Sequence, residues 1–121
     1  MTQPAKAHAI SIERNPNRVR VHFNGRVVAD SRSALTLREG SLRPVQYIPR
    51  ADADMTLFEP TSHRTHCPFK SDANYFSLKV GGRVAENAVW TYEDPFPGVA
   101  AIKDHLAFYP DRVDEIEELP G

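Results

Sequence analysis

One cysteine, one tryptophan and six glycines are spread over 121 residues. A single cysteine excludes an intrachain disulfide and any cysteine-rich zinc site. No apolar run is long enough to span a bilayer or to act as a secretory signal. Neither sign of charge is in excess, with 15 basic against 16 acidic residues, so the electrostatic footprint of a nucleic-acid or anionic-membrane partner is missing. No nucleic acid and no membrane are therefore expected as partners, and the cytoplasm is the expected compartment. Nothing repeats internally and no segment is low in complexity. Proline, by contrast, is plentiful. Ten of them along the chain disfavour long helices and favour short strands joined by turns. The length suits one domain with a real core.

The clearest element is a hairpin, NYFSLKV and RVAENAVW around Gly81-Gly82. Two glycines accept the positive φ angles of a two-residue turn. That turn sets Val80 opposite Arg83, Leu78 opposite Ala85, Phe76 opposite Asn87 and Asn74 opposite Val89. Alternation then puts Phe76, Leu78, Val80, Ala85 and Val89 on a core face. Tyr75, Ser77, Lys79, Val84, Glu86, Ala88, Trp90 and Tyr92 take the other, which reads as a second small core or as the wall of a ligand site. A bulge in either strand would exchange part of this assignment.

Asn24-Gly25 marks a second hairpin, RVRVHF and RVVADS, with Val19, Val21, Phe23 and Val28 on one face. Residues Met1 to Lys6 read as a loose terminus, and Ala9 to Arg14 as an edge strand. Ala34 to Glu39 and His105 to Tyr109 read as strands, and Arg43 to Arg50 as a short extended piece. Ala51 to Asp54 and Val99 to Asp104 read as single helical turns, and Met55 to Phe58 as a short strand. Val113 to Leu119 has an apolar spacing of three that does not decide between tail and helical turn. Strand–helix repeats of a parallel α/β sheet are missing. The fold expected is all-β and mostly antiparallel.

Four constellations could carry chemistry. Gly40-Ser41 followed after ten residues by Asp52-Ala53-Asp54 has the spacing of a nucleotidyltransferase signature, in which two aspartates hold metal ions. The helix that signature needs cannot run through Pro44 and Pro49. His63, His66 and Cys67 invite a zinc reading, but on a strand His66 points away from the other two and no fourth ligand is evident. Cys67-Pro68-Phe69-Lys70 could place a lysine beside a thiol and make it nucleophilic, with His63 or His66 as base. Tyr47, Arg50 and Asp52 lie within six positions, and the arginine fork suits a carboxylate or phosphate; a structural ion pair is the plainer alternative.

Five strings in order, YIPRAD (Tyr47 to Asp52), THCPFK (Thr65 to Lys70), NYF (Asn74 to Phe76), AVWTYEDP (Ala88 to Pro95) and AFYPDRV (Ala107 to Val113), resemble the bacterial domain of unknown function 427. That family carries a nucleotidyltransferase label and brings no established activity. The resemblance implies two antiparallel sheets leaning together, similar to the β-tent proteins, among which are zinc-anchored domains and domains with an aromatic cage for small ligands. The chain lacks the paired Cys-x-x-Cys motifs of the zinc-bearing relatives. It also departs at Ser71, where the family usually has glycine, and at Phe76, where tryptophan is common.

The reading is thus an all-β, β-tent-like domain over residues 18–121, preceded by an N-terminal segment with an edge strand over 1–17. Its expected function is binding of an unidentified small molecule. Tyr75, Trp90 and Tyr92 would form an aromatic wall, joined by Tyr47 and Cys67, with Arg50, Asp52 and Lys70 as polar anchors. No cofactor and no metal are expected, and a homodimer is the other partnership the reading admits. The alternative is an enzyme of undetermined chemistry centred on Cys67 or on the aspartate pair.

Overall fold

The computed structural model describes residues 9–121; the expected loose terminus at Met1 to Lys6 lies outside them. In chain order the strands are β1 (Ile10–Arg14), β2 (Arg18–Phe23), β3 (Arg26–Ser31), β4 (Leu35–Glu39) and β5 (Val45–Pro49). They continue with β6 (Phe58–Cys67), β7 (Ser71–Val80), β8 (Arg83–Tyr92), β9 (His105–Phe108) and β10 (Glu115–Leu119). Seven form one antiparallel sheet in the order β1-β4-β5-β9-β8-β7-β6, and three form another in the order β10-β2-β3. Both sheets are open, and they lean together over one core in a β-tent-like arrangement. Helical structure among the described residues is confined to 3-10 turns at Arg50–Asp52, Met55–Leu57 and Pro97–Ile102, so none is long and apolar enough to cross a membrane.

Turn chemistry sets the two hairpins. Asn24 and Gly25 have φ of 50° and 78°, and Gly81 and Gly82 have 56° and 85°, the positive pair that matches the twist of the flanking strands. The tips are fastened to each other. Asn24 Nδ2 donates to the Val80 carbonyl at 2.8 Å, the Arg83 guanidinium lies 4.5 Å from the Phe23 ring centre, and Asp114 accepts from both the Asn24 amide and Arg83.

The expected register of the central hairpin holds only near its tip. Val80 pairs with Arg83 and Leu78 with Ala85, but Phe76 then faces Val89 and Asn74 faces Thr91. The cause is a bulge in which Glu86, Asn87 and Ala88 oppose Ser77 alone. Asn87 adopts φ of 50° and its amide donates to Ser77 Oγ at 3.0 Å. The insertion keeps Val89 on the core face but carries Ala88 there too, where alternation had placed it opposite. A matching bulge in β6 sets Thr61, Ser62 and His63 against Tyr75. The two irregularities meet across β7, where Thr61 Oγ1 donates to Asn87 Oδ1 at 2.7 Å.

Between the sheets lies the main core, with Val19, Val21, Phe23 and Val28 from one side and Ile48, Phe76, Leu78, Val89, Leu106 and Phe108 from the other. On the far face of the seven-stranded sheet is a second cluster containing Leu37, Tyr47, Ala73, Tyr75, Tyr92 and Ala107. The Pro97–Ile102 turn closes it with buried Val99 and Ile102. The aromatic face is thus a second core, and it borders a cavity.

Two strands differ from expectation. Met55–Leu57 is a 3-10 turn capped by Asp54, and the strand begins only at Phe58. From there β6 runs ten residues as an exposed edge, polar on both faces, so it shows no alternation to read. The undecided segment before the C-terminus is extended as β10 and pairs with β2.

Candidate functional site

The site grows from the distal half of the central hairpin. Beyond the β8 bulge, Tyr75 pairs with Trp90 and Ala73 with Tyr92, so Tyr75, Trp90 and Tyr92 project from the same sheet face. Tyr47 of β5 reaches the same place, its ring edge-on to Trp90 with centroids 6.4 Å apart. Tyr109, just after β9, lies 4.5 Å from the indole. These five rings line a cavity of about 360 Å³, with Leu37, Leu42, Arg43 and Val45 on the β4–β5 side and Thr65 on β6.

Hydrogen bonds fix most of the rings. Trp90 Nε1 donates to the Tyr47 hydroxyl at 3.3 Å. The Tyr75 hydroxyl lies 3.0 Å from Thr65 Oγ1 and 3.1 Å from the Tyr109 hydroxyl. Tyr92 differs: its hydroxyl has no hydrogen-bond partner among the described residues, although the side chain borders the cavity. Burial pushes the Tyr47 and Tyr92 phenols well above the ordinary tyrosine value, and pushes Tyr109 up to about 12. At neutral pH all three are hydroxyls that can donate or accept.

The floor holds one buried ion pair. Lys70 Nζ donates to Glu39 Oε1 at 2.6 Å, with side chains 9% and 12% exposed. Charges taken this far from water need close pairing, and removing either partner would leave the other unpaired. Lys70 reaches inward because the Cys67-to-Ser71 turn is tight: the Lys70 amide donates to the Cys67 carbonyl, and the Lys70 carbonyl accepts from Phe96. The ammonium is also 3.5 Å from Cys67 Sγ. Its charge is already matched by Glu39, however, so the thiol shares the lysine with a carboxylate. The histidines diverge: His63 packs against the Tyr75 ring, and His66 Nδ1 meets Asp72 Oδ1 at 2.6 Å. Among the described residues no three His, Cys, Asp or Glu side chains stand close enough to hold a metal ion.

Of the eight residues singled out in the sequence, Tyr47, Lys70, Tyr75, Trp90 and Tyr92 come together around the cavity, and Cys67 lies against the same cluster. Arg50 and Asp52 do not join them. Arg50 donates to Thr91 Oγ1 and Glu93 and sits 5.4 Å over the Phe76 ring. Thr91 and Phe76 are on the opposite face from Trp90 and Tyr75, one residue away on each strand. Asp52 accepts from Ser31 Oγ of β3 at 2.6 Å and so ties the two sheets. Its expected companion Asp54 caps the Met55–Leu57 turn and pairs with Arg26. Gly40-Ser41 leads into strand β5 rather than a helix. The nucleotidyltransferase spacing is therefore not accompanied by that geometry.

Sequence reasoning passed over Tyr109, Thr65, Glu39 and Arg43 as site residues. Tyr109 and Thr65 belong to the motif strings that carry the family resemblance, a signal available for them. Nothing local marks Glu39 or Arg43, which reach the cavity only because β4 pairs with β5 and β5 with β9.

A comparison with the curated proteins returned no match. The family model of a domain of unknown function (DUF427), which bears a nucleotidyltransferase short name, matches residues 11–119. That span is nearly the whole chain, and the protein belongs to this family of domains of unknown function.

Proposed function

We propose that the protein binds a small molecule carrying a planar ring, and that the cavity beside Trp90 is its site. One observation carries the reading: five aromatic rings converge on one cavity in which the Tyr92 hydroxyl has no hydrogen-bond partner among the described residues. Apolar rings supply contact area and a few fixed polar groups supply orientation, the usual make-up of a small-molecule site. Four of the five rings, Tyr47, Tyr75, Trp90 and Tyr109, are held by hydrogen bonds, which lowers the cost of ordering them around a ligand. The Lys70–Glu39 pair offers a polar floor, and the exposed Leu42 and Arg43 border the mouth. Catalysis by Cys67 has less support, because Lys70 is engaged by Glu39 and neither nearby histidine is directed at the sulfur. A lone free cysteine and the family membership favour a bacterial, cytoplasmic setting.

Trp90 is the only tryptophan, so its emission reports on binding beside the indole. A screen of aromatic fragments should find saturable quenching. Thr65→Phe, which places a ring at the mouth from an exposed edge strand, should weaken those fragments by tenfold or more. Fragments that bind without altering Trp90 emission, or that bind Thr65→Phe equally well, contradict the proposal.

A further inference from the structure

The seven-stranded sheet is split beside the aromatic cavity. β5 pairs with β9 only through Ile48–Leu106 and Pro49–His105, after which Val45, Gln46 and Tyr47 pair with β4 alone. The β9 strand continues instead along β8, with Ala107 opposite Trp90 and Phe108 opposite Val89. The two strands thus diverge, and a second cavity of about 460 Å³ lies at the gap. It reaches between the sheets. Val21 and Ile116 of the small sheet face Ile48 and Phe108 of the large one, with Pro44 and Pro110 at the rim. Trp90, Val45 and Arg43 line both cavities, so the two compartments adjoin around the indole.

Arg43 supplies the charge at their junction. It is exposed and makes no ion pair or hydrogen bond among the described residues. Of the carboxylates in the two linings, Glu39 is paired with Lys70, and Glu118 is held by the Asn15 and Asn17 amides rather than by Arg43. A guanidinium left without a counter-ion, next to an apolar compartment, suits a molecule with an anionic head and an apolar tail.

We propose that the inter-sheet cavity is a second ligand compartment, and that it takes the aliphatic portion of an amphipathic monoanion whose carboxylate rests on Arg43. The inference extends the proposed ring-binding site, and shares with it only Trp90, Val45 and Arg43. Straight-chain alkanoates below their self-association concentrations are the probes. Trp90 emission should respond saturably to octanoate. Each added methylene should tighten binding about fourfold until the compartment is filled, so hexanoate to octanoate gains roughly fifteenfold. Arg43→Gln should weaken octanoate by on the order of tenfold or more, while 1-octanol should bind the wild type more weakly and be indifferent to that change. Ile116→Phe fills the compartment and should abolish the chain-length dependence.

Loss of octanoate binding in Ile116→Phe with aromatic fragments still binding supports a separate compartment. Octanoate binding that survives Thr65→Phe supports it even where the ring-binding reading fails. Equal affinities for octanoate and 1-octanol, or octanoate binding unchanged in Arg43→Gln, overturn the inference and leave the ring site standing. Arg43 is exposed, so that comparison decides the matter even if Ile116→Phe does not fold.

Discussion

Ser71 has φ of 112°, a region where a Cβ is strained and glycine is at ease. The family resemblance places glycine at this position, and the backbone supplies the reason: the chain must reverse between Cys67 and β7 so that Lys70 can turn inward. Ser71→Gly should raise stability by about 0.5–1 kcal/mol, as relief of strain outweighs the added freedom of the unfolded chain. A denaturant midpoint that falls would show that the serine side chain stabilises the turn instead. Four residues earlier, Cys67 tests the remaining enzyme reading. With Glu39 matching Lys70, the thiol should react with iodoacetamide near neutral pH at the rate of an ordinary, partly shielded cysteine, and replacing the pair together (Glu39→Gln with Lys70→Met), which leaves no unpaired charge, should not slow it. Fast alkylation that depends on Lys70 would move catalysis ahead of binding. Cys67 and Lys70 were visible as neighbours in the sequence, whereas the partner that decides between their two roles, Glu39, was not. It arrives from another strand, 31 residues away.

Among the elements, the bulge in β8 has the largest consequence. Alternation sorted Tyr75, Trp90 and Tyr92 to one face, because an insertion of two residues preserves parity. It failed for the pairing partners and for Ala88, because Asn87 turns left-handed inside the strand. Asn87→Val should destabilise by about 1–2 kcal/mol, since a β-branched residue resists positive φ, and Asn87→Gly should cost less. If valine is tolerated as well as glycine, the strand can flatten and the register is softer than described. The hairpins themselves were legible because Asn24-Gly25 and Gly81-Gly82 carry their turn chemistry locally. β6 was not, since an edge strand polar on both faces has no hydrophobic period. Arg50 shows the limit of motif proximity: three residues from Tyr47 along the chain, it lies across the sheet on the other face.

At the scale of the molecule, ionisable groups tie the sheets and set the pH range. Asp30 is held below the ordinary carboxylate value of 3.8 by its hydrogen bond from Arg18, and Asp114 by the Asn24 amide and then Arg83. Asp54 is lowered by Thr56. For carboxylates lowered on folding, the stabilisation is complete above the unfolded value and is lost as pH falls through the folded one. Tyrosines raised by burial act at the other end. Their hydroxyl form is favoured by folding, so stability is lost as pH rises above 10 and through the folded value, about 12 for Tyr109. Melting temperature should therefore be level between about pH 5 and about pH 9 and fall on both sides. Asp114→Asn, at an exposed position, should flatten part of the acid decline. An acid limb identical in this variant would mean that the Asn24–Asp114–Arg83 link does not hold the hairpin tips together. The two-sheet architecture followed from turn spacing and family resemblance. The cavity could not be read in the same way, because its wall is assembled from five strands, β4 to β8, with Tyr109 just after β9, and its rim from the loop before β5.

The most direct test of ligand binding beside Trp90 is a two-dimensional NMR titration with the best aromatic fragment from the screen. The single indole N–H donates to Tyr47 and gives one isolated signal. Saturable movement of that signal, together with the backbone amides of Thr65, Tyr75, Tyr92 and Tyr109, is the predicted result, with Arg50 and Asp52 on the opposite face left unmoved. Shifts centred on Arg50 and Asp52, with the indole signal unchanged, would contradict it.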